Sequence, residues 1–111
     1  MTRYFRLTSS DNQYNEFVFG IDSFMLTFRY NSSNKRYYLD VYKNNELMIK
    51  SLKLVWSSYN IFNSYIYKDI GELRCISNAT NIVSSSKSQE FQELTKENIT
   101  KFLFEWRYGD E

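Results

Sequence analysis

Between residues 16 and 56 apolar and polar side chains alternate in successive runs, separated by short breaks built from Asn, Ser and Asp. A period of two does not fit one face of a helix, whose repeat is 3.6, but it places every second side chain on the same side of a strand. In "FMLTFRYN" Phe24, Leu26, Phe28 and Tyr30 share one face, and Met25, Thr27 and Arg29 share the other. In "RYYLDVYK" Tyr37, Leu39 and Val41 oppose Tyr38, Asp40 and Tyr42. The breaks read as turns. Asp22-Ser23 separates "EFVFGI" from "FMLTFRYN" as in a tight hairpin, and "NSSNK" at 31–35 returns the chain into "RYYLDVYK". Asn44-Asn45 is the sharpest turn signal, because Asn tolerates the positive φ that a two-residue primed turn needs. A further antiparallel strand, "ELMIKSLKLVW", follows, long enough to bend or break near Ser51. Aromatic residues make up 19% of the chain, a weighting that suits strands, where rings pack across a pleated surface.

The flanking regions are less regular. Residues 1–15 read as an N-terminal edge strand or arm, since Arg3 to Thr8 alternate weakly. After Trp56, Ile61, Phe62, Tyr65 and Ile66 have the spacing of a one- or two-turn helix capped by Ser57 or Ser58, or of an irregular aromatic connection. "GELRCIS" resumes a short strand in which the single cysteine, Cys75, is expected to be buried and inert. Residues 78–98, rich in Ser, Thr, Asn, Lys and Glu, predict a long polar loop with a short helix around 89–94. "KFLFEWR" ends the pattern with Phe102, Phe104 and Trp106 on one face. Burial of those rings is worth roughly 1.5–3 kcal/mol each, enough to make this strand integral to the sheet. A chain of 111 residues supports one core, so residues 1–111 are expected to form one β-rich domain. The fold class is mainly β: a small antiparallel β-sandwich or partly open barrel of about six or seven strands, with one short helix or irregular connection.

The residue types argue against catalysis. There is no histidine, which removes the commonest general base, the commonest metal ligand and the usual activator of a Ser or Cys nucleophile. With one cysteine, ordinary zinc sites are out of reach, and the three isolated glycines make no phosphate-cradling loop. Carboxylate pairs are conceivable at Asp40 and Glu46 across the hairpin, or at Glu72 or Glu105, but such acids are more often solvated or paired with a base. The expectation is a non-enzyme with no metal, cofactor or small-molecule substrate. Fourteen basic and thirteen acidic residues leave a net charge of +1, so no broad field collects phosphates, and no nucleic acid partner is expected. No stretch approaches the roughly 18 apolar residues of a membrane span, and the first residues lack the apolar core of a secretory signal. Synthesis in a reducing cytoplasm follows as the expectation. Two uses remain for the outward rings. They can anchor a protein partner, or, beside Lys35, Arg36 and Lys43, stack single-stranded bases or a glycan on a free-standing small barrel. Acidic residues interspersed with the basic ones favour the protein interface.

The order of motifs carries a resemblance. Tyr30-Asn31, Tyr38-Leu39-Asp40-Val41-Tyr42, Leu54-Val55, Gly71-Glu72-Leu73 and the closing "FLFEW" strand together resemble the small baseplate plug proteins of contractile-tailed bacteriophages, over residues 17–108. The chain departs from that family in having Asn44-Asn45 where a glycine is usual and no proline in the late loop. The resemblance implies a structural component of the virion tail baseplate, made in the bacterial host cytoplasm. Its implied partners are other baseplate proteins (hub, spike, tube or wedge subunits), met in multiple symmetric copies, and no catalytic residue comes with it. On that reading Tyr38 and Tyr42 are the expected ring anchors, and Arg29, Lys35 and Arg36 supply rim contacts.

Overall fold

The computed structural model describes residues 1–56, 60–63, 68–76 and 92–109. Among the described residues nine strands follow one another: β1 Thr2–Phe5, β2 Asn12–Phe19, β3 Asp22–Asn31, β4 Arg36–Lys43, β5 Glu46–Lys53, β6 Val55–Trp56, β7 Glu72–Ile76, β8 Gln92–Glu93 and β9 Leu103–Arg107. They make a four-stranded sheet in the order β2-β3-β4-β5, a three-stranded sheet in the order β1-β9-β7, and the small ladder β6-β8. All pairings are antiparallel. The two larger sheets pack face to face as in a β-sandwich and do not close into a barrel. Helical structure among the described elements is one 3₁₀ turn, Ile99–Lys101.

The alternation read from the sequence is what builds the core. Phe24, Leu26 and Phe28 of β3 and Tyr37, Leu39 and Val41 of β4 point inward and are buried, while their odd and even neighbours point out. From the other sheet Trp106 enters a cage of rings, 4.8 Å from Phe24, 4.9 Å from Phe19 and 5.1 Å from Phe17, all edge-on. Edge-to-face contacts of this kind add to the stabilisation from ring burial, because the positive rim of one ring meets the negative face of the next. At the other end Phe104 is buried and stacked on Phe5 of the neighbouring strand at 5.2 Å. The buried indole N–H donates to the Ile70 carbonyl at 2.9 Å. Gly71, at φ +86°, is required beside it: a Cβ there would lie 2.3 Å from the Arg107 carbonyl oxygen. Cys75 is fully buried in β7, and burial pushes its thiol pKa up, away from the reactive thiolate.

Turn chemistry explains the connections. Asn44 and Asn45, at φ 50° and 69°, form the two-residue β4–β5 turn that the sequence predicts. The β2–β3 turn lies two residues earlier than expected, at Gly20-Ile21, with Asp22 and Ser23 already inside β3. Gly20 takes positive φ (64°) without a Cβ penalty, and turning there sets Phe17 opposite Phe24 and keeps Phe19 in the core. The polar Asp22 instead accepts bonds from Asn44 Nδ2 (3.0 Å) and Tyr108 Oη (2.7 Å), which hold its carboxyl below the usual range. The bend expected near Ser51 is present. The β4–β5 register slips twice, and Ser51 has φ 61°.

Residues 1–15 provide β1 at the edge of the three-stranded sheet, a loop, and the start of β2 at the edge of the other. In the connection after Trp56, Phe62 is buried, and Asn60 Oδ1 accepts from the N–H groups of Phe62 (3.0 Å) and Leu73 (2.8 Å). Ser57, Ser58, Tyr65 and Ile66, the other residues of the expected helix or irregular connection, lie outside the described residues. The helix expected around 89–94 does not occur where it is described. Gln92 and Glu93 are extended and pair with Trp56 and Val55, an arrangement set by a partner distant in sequence and hence invisible to local composition. Most of the polar loop at 78–98 lies outside the described residues; its end makes a turn, with Thr95 N–H bonded to Asn98 Oδ1 at 2.8 Å.

Candidate interaction surface

The four-stranded sheet has a second face, turned away from the core. Cross-strand register assembles it in rows: Glu16, Met25, Tyr42 and Leu47 in one; Tyr14, Thr27 and Asp40 in the next; Asn12, Arg29, Tyr38 and Lys53 in the third. Several of its apolar side chains are open to water. Tyr14 is 63% exposed, Val18 60% and Leu47 44%, and Ile21 at the adjoining turn is 96% exposed. A shallow depression of about 180 Å³ lies at the turn end of this face, lined by Glu16, Val18, Ser23, Met25, Tyr42 and Asn45. That volume suits one aliphatic or aromatic side chain, not a small-molecule substrate, which usually needs roughly 300 Å³ or more.

The sequence-predicted residues fall on this face or its rim. Tyr38 and Tyr42 are both half-buried on the outward side of β4. The hydroxyl of Tyr38 accepts a hydrogen bond from Asn34 Nδ2 at 2.6 Å, which fixes the ring against the β3–β4 loop. Tyr42 lies between Met25 and Leu47 in its row, an apolar strip across three strands. Lys35 is exposed at the loop, at φ 60°, and Arg36 beside it is half-buried, with Nη1 donating to the Lys35 carbonyl at 3.0 Å.

Arg29 is differently placed. Its guanidinium grips Asp40 through two bonds, Nε to Oδ2 at 3.1 Å and Nη2 to Oδ1 at 3.0 Å, and also reaches Ser51 Oγ at 2.9 Å. Asp40 is the buried charged residue of the described core, and it accepts a third bond from the Ser51 N–H at 2.8 Å. Burial alone would raise its pKa; the bonds from Arg29 and Ser51 outweigh burial and hold the carboxyl below its ordinary value. The pair neutralises charge in the middle of the face, where Asp40 lies opposite Thr27 and Arg29 opposite Tyr38. Asp40 and Glu46 do not form an acid pair, for Glu46 lies opposite the inward-facing Lys43. Glu72 is bonded to Arg74 (2.7 Å) and Glu105 to Arg107 (3.4 Å), so these acids have basic partners. No group of His, Cys, Asp and Glu able to hold a metal ion occurs among the described residues, and no described helix is long and apolar enough to cross a membrane.

Tyr14, Val18 and Leu47 were not among the expected site residues. The signal for them is present in "NQYNEFVF", where Tyr14, Glu16 and Val18 alternate against Phe17 and Phe19. A face that mixes an ion pair with exposed apolar side chains is the usual composition of a protein contact. The comparison with protein families then decides the class: the family model of the cyanophage baseplate Pam3 plug gp18 matches residues 2–104. The chain belongs to that baseplate plug family. It is therefore a structural component of the phage tail baseplate, whose neighbours are other baseplate proteins. No curated protein matches the chain.

Proposed function

We propose that this plug-family protein packs against neighbouring hub, spike or tube subunits through the outward face of β2–β5, without catalytic activity of its own. The observation that carries the reading is a sandwich in which, among the described residues, one sheet face leaves apolar side chains exposed, at Tyr14, Val18 and Leu47, in a chain of a baseplate family. Tyr38 and Tyr42 are the ring anchors, since each presents a large half-buried ring outward, and the bond from Asn34 already holds Tyr38, so that its burial costs little further entropy. Lys35 and Arg36 supply rim contacts, and Arg29 contributes its outer edge while Asp40 holds its position. The chain is made in the host cytoplasm and taken up in symmetric copies. It recruits no cofactor.

The double substitution Tyr38→Ser and Tyr42→Ser tests this. The purified variant is expected to keep the β-type circular dichroism spectrum of the parent and to be missing from tails recovered after infection, as measured by quantitative mass spectrometry. Tails that contain the variant at the parental level would remove both rings from the interface.

A further inference from the structure

The two long edges of the four-stranded sheet differ in kind. β5 is interrupted by two register slips, turns at Ser51 and carries Lys50 and Lys53, devices that discourage another strand from pairing. β2 has none of these. It runs eight residues in unbroken register with β3 and contains no proline, bulge or lysine.

Among the described residues most of its outer backbone groups have no partner. The Tyr30 N–H donates to the Asp11 carbonyl at 2.8 Å, which makes Asp11 and Tyr30 a bonded pair and fixes the alternation along the ladder. Gln13, Asn15, Phe17 and Phe19 are thus bonded to β3, and the N–H and C=O groups of Asn12, Tyr14, Glu16 and Val18 point to the free edge. Arg3 Nη2 occupies the Val18 carbonyl at 3.0 Å, closing that end. Among the described residues the outward main-chain groups of Asn12, Tyr14 and Glu16 have no protein partner. The side chains along the same edge read Tyr14, exposed and apolar; Glu16, exposed and in no ion pair among the described residues; and Val18, exposed and apolar. The rest of the Glu16 row is Met25, Tyr42 and Leu47, which offer it no cation.

We propose that β2 is a strand acceptor: an extended segment of a neighbouring baseplate subunit adds to the sheet along Asn12–Glu16, with an apolar residue facing Tyr14 and a basic residue facing Glu16. Opposite charges directly across a ladder stabilise the pairing and like charges oppose it, so Glu16 selects Lys or Arg in the position facing it. The inference rests on the proposed function in assuming a baseplate neighbour, and extends it by naming the edge and the chemistry of the segment that docks there.

Amide hydrogen exchange separates the two. In the isolated chain the N–H groups of Asn12, Tyr14 and Glu16 are expected to exchange fast, and those of Gln13 and Asn15 slowly. In assembled baseplates Tyr14 and Glu16 are expected to slow by at least about 100-fold, as hydrogen-bonded ladder amides do. Baseplates that contain the chain but leave these amides at their free rate would overturn the strand acceptor while leaving the outward-face reading intact. Baseplates that lack the chain would overturn both. Glu16→Lys adds a check on the charge pattern: incorporation is expected to fall by about tenfold or more at unchanged melting temperature, equivalent to losing roughly 1.4 kcal/mol of association. Parental incorporation of Glu16→Lys would refute the basic partner residue.

Discussion

The two faces of the four-stranded sheet are made by the same alternation and the same residue classes, yet they are finished differently. On the inner face every ring meets another ring: Phe19, Phe24 and Trp106 lie within 5.8 Å of one another, and the polar atom of the indole is bonded at 2.9 Å. On the outer face Tyr38 and Tyr42 are half covered, Tyr14 and Val18 stand in water, and an ion pair with a buried carboxylate and a partly exposed guanidinium lies among them. The inner face is complete within one chain. The outer face pairs its central charges, Arg29 and Asp40, but leaves Glu16 without a cation among the described residues and several apolar side chains in water, the condition expected of a part finished by assembly.

The contrast can be broken most severely from the inside. Trp106→Ala removes three edge-on ring contacts and leaves the Ile70 carbonyl without its donor; a loss of about 3–5 kcal/mol in urea unfolding is expected, enough to unfold much of a small domain. Gly71→Ala follows, at about 1–3 kcal/mol from the positive φ, with a further cost because the new Cβ meets the Arg107 carbonyl. On the outer face the largest effect belongs to Asp40. Asp40→Asn weakens both guanidinium bonds, and since Arg29 is 38% exposed and readily hydrated, the expected loss is about 1–2 kcal/mol. The sign of its pH dependence follows from a carboxyl held below its ordinary value of 3.8 in the folded chain. Its contribution is fully present above that value and is lost as pH falls through the lower folded-state pKa. Acid unfolding of the parent should thus show a component below about pH 4 that is missing in Asp40→Asn. Smallest are the outward rings themselves: Tyr42→Ser should change folding stability by about 1 kcal/mol or less, while its effect on incorporation is large.

Much of this contrast was legible in the residues. The inward sets of β3 and β4 follow from period two alone, and Asn44-Asn45 names its own turn because few residues tolerate two consecutive positive φ values. Phe104 and Trp106 declare a buried strand, but nothing local says that β9 lies between β1, at the other end of the chain, and β7, which precedes it by a long connection. The β2–β3 turn was displaced for a related reason: Asp22-Ser23 is the more polar dipeptide, whereas ring registry in the core rewards turning at Gly20-Ile21. The grip of Arg29 on Asp40 depends on register between two strands, so composition showed a cation and an acid without showing that they neutralise each other. Tyr38 and Tyr42 could be placed outward from sequence; the openness of β2, with Arg3 sealing one end, required the three-dimensional edge.

The central claim is that the outward face of β2–β5 is covered in the assembled baseplate. Hydroxyl-radical footprinting, comparing the isolated chain with intact tails, tests it most directly. The account predicts that Tyr14, Met25, Tyr38 and Tyr42 are oxidised in the free protein and protected in tails, while the exposed Tyr4 on the opposite sheet serves as the reference within each sample. Equal oxidation of the four outward residues in both states would contradict it.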